Sequence, residues 1–167
     1  VKRTIGLALA AAIGLMTPVA AAAAAHADDR QHTQQLWEAT TVTNKLKLSS
    51  STRSSKPIGS CSIGRDGGTC TISRGKTADR TISLSLGLTR SVAASGLGIS
   101  SGKSVSTSVS CTSPGMKRGS VWKAWAVGDY WKYKAKKVTS VDAVLVKAQT
   151  SAYLYAFNPS STRIHCA

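Results

Sequence analysis

The chain has 167 residues, 4 cysteines, and 22 Lys plus Arg against 7 Asp plus Glu, for a net charge of +15. That length suits one domain with a modest core. Few acids and 3 histidines leave carboxylate-pair and histidine-based catalysis thinly supplied, while the positive field favours anionic partners held in a salt-sensitive way.

Residues 1–27 read as a signal peptide. A basic start, Val1-Lys2-Arg3, precedes the apolar run TIGLALAAAIGLM, and Ala25-His26-Ala27 places small residues where signal peptidase requires them. A leader helix cleaved after Ala27 is the expectation, and an initiating Val fits a bacterial alternative start codon. Cleavage removes Lys2 and Arg3, so 22 basic residues become 20 against 7 acids, a net of +13. The protein is thus expected to be secreted, extracellular and bacterial. Residues 28–55 form a polar N-terminal segment. Leu46 and Leu48 about Lys47 indicate a short strand, and SSSTRSS (49–55) a flexible Ser-rich linker.

Residues 56–167 are expected to be a disulfide-braced β domain. An even cysteine count in an oxidising compartment reads as two disulfides, with three pairings open. Cys61–Cys70 with Cys111–Cys166 is preferred, the first bracketing a hairpin that turns at Asp66-Gly67-Gly68. No paired C-x-x-C spacing is present, so no metal is expected.

Ile82, Leu84, Leu86, Leu88 and Val92 alternate with Thr, Ser and Gly, and Leu97, Ile99, Val105, Val109 and Cys111 share one parity of the next stretch. Period two predicts two long strands, 81–92 and 97–111, turning at AASG (93–96). Their small hydroxyl faces suit either a lightly covered sheet or a membrane hairpin with one polar and one apolar row. SPGMKRG (113–119) is a loop. VWKAWAV and YWKYKAK flank Gly128-Asp129, which reads as a two-residue hairpin turn. That hairpin would put Lys123, Trp125, Lys132, Lys134 and Lys136 on one cationic face, and Trp122, Ala124, Ala126, Trp131, Tyr133 and Ala135 on a core face. Lys117 and Arg118 would extend the cationic face.

VDAVLVKA (141–148) reads as a buried strand because both parities are largely apolar. SAYLYAF (151–157) is the last predicted strand, with Tyr153, Tyr155 and Phe157 assigned to the core. About nine short strands without a helix predict an all-β fold, an antiparallel β-sandwich or small barrel with two disulfides, preceded by the cleaved signal-peptide helix.

Nucleotide motifs fail. SRGKT (73–77) has Cys70 where a phosphate loop needs its first Gly, and GLG (96–98) lacks a third Gly at the required spacing, so no cofactor is expected. His32 and His165 remain after cleavage. A serine with His165 and Asp142 could form a triad in three dimensions, since triads are recognised by geometry. No catalytic residue is assigned.

The leader ending AHA, GTCTISRGK (68–76), SCTSP (110–114), VWKAW, YWKYK and the terminal YAFNP…IHC together resemble the small, basic, two-disulfide exported proteins of actinobacteria. That likeness implies export and compactness, not an activity. The alternation across 81–111 resembles, in pattern, the stem hairpins of aerolysin-type pore-forming toxins, which implies membrane insertion. The leading expectation is a secreted non-enzymatic binding protein presenting a cationic β surface to anionic polymers or cell envelopes, nucleic acid being bound only non-specifically. The alternatives are a membrane-active or pore-forming protein using the 81–111 hairpin, and a small protease inhibitor using the 61–70 loop.

Overall fold

The computed structural model describes residues 34–167. The leader 1–27, its cleavage site and the polar start 28–33 lie outside the described residues.

Antiparallel strands dominate. β1 (Leu36–Arg53), β2 (Gly59–Ser62), β5 (Thr81–Ile82), β8 (Val121–Val141), β9 (Val144–Thr150) and β10 (Leu154–Cys166) form one sheet, in the order β1-β8-β10-β5, with β2 and β9 also paired to β8. β3 (Thr71–Ile72) with β7 (Cys111–Thr112), and β4 (Thr77–Asp79) with β6 (Ser104–Ser106), make two small ribbons. The pairing order leaves β1 and β5 as ends, so the main sheet is open and does not close as a barrel. The preferred disulfides, Cys61–Cys70 and Cys111–Cys166, are both present.

β8 organises the molecule. Its 21 residues run straight through Gly128-Asp129, where the sequence predicts a hairpin. Asp129 pairs with Asn158, Gly128 with Pro159 on β10 and Thr52 on β1, and every register shift falls in a partner strand. The hairpin-like signal comes from which positions are buried. Ala124, Ala126 and Gly128 are buried on the even parity, Tyr133 and Ala135 on the odd. Side chains alternate strictly along a strand, so the two sets lie on opposite faces. Ile72 covers the even face of the first half: a Cβ on Gly59, which pairs with Ala124, would lie 2.8 Å from Ile72 Cγ2. A helix covers the odd face of the second half. A hairpin turn and a change of covered face produce the same switch of parity in the sequence.

That helix, α1 (Arg90–Leu97), replaces the end of one predicted strand and the turn after it. Thr89 caps its start by accepting from Val92 N, and Gly98 ends it in the left-handed region at φ 72°. Ala93, Ala94 and Leu97 are buried, and the main core joins Leu88, Ala93 and Leu97 to Tyr133, Ala135 and Ala156, with Val42, Ile82 and Trp131 against them. The Tyr133 hydroxyl donates to the Ser83 carbonyl, which ties the Ser-rich chain to the sheet. Residues 81–111 are therefore no hairpin in this fold. The stretch predicted as two long strands and their turn contains β5, α1, β6 and the first residue of β7.

Three further elements differ from expectation. β1 spans 18 residues and takes in the predicted short strand and most of the 49–55 linker, paired along β8 through several bulges. The Cys61–Cys70 bracket is not a hairpin of its own: β2 pairs with β8, and β3 with β7. VDAVLVKA is not a buried strand. Asp142 and Ala143 both take positive φ and turn β8 into β9, all of whose residues are exposed.

Candidate functional site

The even positions Tyr130, Lys132, Lys134 and Lys136 project from β8 on the face away from α1. The β10 register sets Tyr155 opposite Lys132 and Phe157 opposite Tyr130, so these side chains share that face. Tyr130 and Tyr155 stack with centroids 5.7 Å apart and planes 10° from parallel. Tyr153, just before β10, receives Lys132 Nζ at 3.9 Å and Lys134 Nζ at 4.5 Å from its ring centre. The electron-rich ring face holds both ammonium groups without neutralising them. Among the described residues, the ion pairs are Lys47 and Arg163 with Asp129, and Lys137 with Glu38; none engages Lys132, Lys134 or Lys136.

At the end marked by Tyr130 this face opens into a cleft of about 500 Å³, walled by Arg53, Lys56, Thr77, Asp79, Tyr130 and Phe157. Stacked rings, a row of uncompensated lysines and an adjoining cleft make an extended anion-receptive surface. It offers many weak contacts along a length.

The structure brings together only part of the expected site. Lys132, Lys134 and Lys136 share one face, but Lys123 and Trp125 occupy odd positions and lie on the other. Trp125 and Lys132 are seven residues apart on one strand, about 23 Å at strand rise. With Gly128-Asp129 inside the strand, the fold-back that would have joined them is gone. Trp125 instead meets the Arg53 guanidinium, 5.8 Å from its ring centre, and the His165 ring at 6.1 Å. Lys123 exchanges backbone hydrogen bonds with Ala167. Lys117 and Arg118 lie in the loop before β8, which is fastened to the disulfide loop where Arg118 N donates to Asp66 Oδ1 at 2.8 Å. They do not extend the Lys132–Lys136 row along β8.

The sequence pattern places Tyr153, Tyr155 and Phe157 in the core, yet two of the three are surface residues: Tyr153 is 45% and Tyr155 40% exposed, while Phe157 is 7% exposed. Their common parity with the lysines became visible only through the β8–β10 register. The triad arrangement is also absent. His165 pairs with Trp125 near one end of β8, and Asp142 follows the other end, about 56 Å away along the strand.

Fold and site together define a disulfide-braced, open-sheet β protein with a cationic, tyrosine-lined face. Comparison of the chain with protein-family models, curated proteins and solved structures finds no match in any of the three.

Proposed function

We propose that the protein is an exported, non-enzymatic binding protein that holds anionic polymers or cell envelopes on its Tyr130–Lys136 face. The observation that carries this reading is the row Lys132, Lys134 and Lys136, whose first two members lie over the Tyr153 ring and none of which meets a carboxylate among the described residues. Like charges side by side on a strand oppose folding, and a polyanion laid along the row relieves that repulsion. Binding then proceeds by charge complementarity and release of the polymer's counterions, with Tyr153 and Tyr155 supplying flat apolar surface. Two disulfides suit an oxidising environment, and the leader pattern supports export to one.

A charge-matched comparison tests the face. The triple variant Lys132→Gln/Lys134→Gln/Lys136→Gln and the triple Lys117→Gln/Arg118→Gln/Lys123→Gln each remove three positive charges, the second from outside the row. With polyphosphate as the probe, the first is expected to weaken binding at least about tenfold and the second only slightly. Equal losses in the two would show that total charge, not this face, does the binding.

A further inference from the structure

β1, β8 and β9 continue beyond the core as a three-stranded arm whose end is apolar. Leu36 is 63% exposed, Trp37 57%, Val144 68%, Leu145 63% and Val146 62%. The register distributes them around the tip: Trp37 and Leu145 flank Ser140 on one face, while Leu36 and Val144 flank Val141 on the other. A single flat partner could cover one face only. A tip that is apolar on both faces suits a medium that surrounds it.

Behind the tip stand lysines. Lys147 lies level with Thr139, three residues or about 10 Å back from the Asp142 turn, with Lys137 about 17 Å and Lys136 about 20 Å back. The Trp37–Leu145 face runs on through Ala39, Val138 and Ala148 into Lys136, Lys134 and Lys132. The setback of Lys147 matches the depth to which apolar elements settle at a membrane surface, about 5–10 Å. Tryptophan is at home in that layer. Asp142 sits at the turn with its carboxylate accepting from Gln35 N at 3.0 Å, which favours shallow seating over crossing. The lysines argue against a second copy as the occupant, since two such arms would bring like charges together.

We infer that this arm docks on anionic lipid bilayers, its tip seated among the headgroups and its lysines on the phosphates. The inference rests on the proposed polyanion face and names the surface that face meets. The probes are phosphatidylglycerol-containing vesicles, vesicles of phosphatidylcholine alone, and soluble polyphosphate, each tested by cosedimentation or titration. The protein is expected to bind the anionic vesicles and to leave the neutral ones. Trp37→Ser/Leu145→Ser is expected to lower vesicle binding at least about tenfold and leave polyphosphate binding unchanged. Both positions are exposed, so the variant's unfolding midpoint is expected to match the parent's. Vesicle binding unchanged in that variant overturns the inference. So does a parent protein that binds polyphosphate but no vesicle, although the polyanion face then stands. Binding to neither probe removes both.

Discussion

Gly128 sits where β8 crosses from one covered face to the other. A Cβ there would collide with the Asn158 carbonyl oxygen and lie 2.6 Å from Pro159 Cα. Both obstacles are backbone and cannot swing aside. Gly128→Ala is expected to destabilise the protein by about 2–3 kcal/mol, read as a lower denaturant midpoint at unchanged slope. Ala143 makes the opposite case. It takes φ 64° in a two-residue turn that favours glycine, so Ala143→Gly is expected to stabilise by about 1 kcal/mol in the same assay. Tyr133 adds a pH dependence. Burial raises its phenol pKa above the ordinary value, so the native state holds the proton more tightly than the unfolded chain. Its contribution is complete below about pH 10 and falls as pH rises through the native pKa. Tyr133→Phe is expected to remove that alkaline loss while costing about 1–2 kcal/mol near neutrality through the hydrogen bond to Ser83 O. Unfolding midpoints across an alkaline series check both signs.

At the scale of elements, α1 and β1 are joined closely. A Cβ on Gly96 would lie 2.7 Å from Val42 Cβ, so Gly96→Ala must push the helix from the sheet. The loss is expected to be about 1–3 kcal/mol, and adding Val42→Ala should recover part of it; two unfolding measurements and their double variant reveal the coupling. This helix also shows how far sequence alone reaches. Its end signals are in plain view, Thr89 before and Gly98 after, yet the apolar alternation from Ile82 to Leu88 extends to Val92 and masks them. Small residues made the masking complete: Ala93 and Ala94 are buried because they fit beneath the sheet, not because of a visible stripe. In β8 the core residues were legible by type, since Ala124, Ala126, Tyr133 and Ala135 are buried as expected. Their faces were not, because parity alone does not distinguish a turn from a change of covering layer. That one ambiguity divided the cationic site, placing Lys123 and Trp125 apart from Lys132, Lys134 and Lys136. The exposed tyrosines escaped for a different reason: a row of aromatics has the same pattern whether a layer covers it or not.

Across the whole molecule, cross-links make up for a modest core. Cys111–Cys166 spans a sequence separation of 55 and Cys61–Cys70 one of 9. On loop closure the longer bridge contributes about 4 kcal/mol and the shorter about 2.7. Selective loss of Cys111–Cys166, by paired Ser substitution, is expected to lower the unfolding midpoint more than the same change at Cys61–Cys70. The molecule's charge bears on function as well. With +15 over the full sequence, any polyanion will be attracted from a distance, so attraction by itself does not locate a site. What distinguishes the Tyr130–Lys136 face is local contact, and local contacts determine how many counterions a bound polymer gives up. The most direct measurement is therefore the slope of log affinity for polyphosphate against log salt, between about 50 and about 200 mM, in the parent and in Lys132→Gln/Lys134→Gln/Lys136→Gln. A steep slope in the parent, flattened by about 2 in the triple variant, is the predicted result. An affinity indifferent to salt, or a slope the three substitutions leave unchanged, would contradict the account.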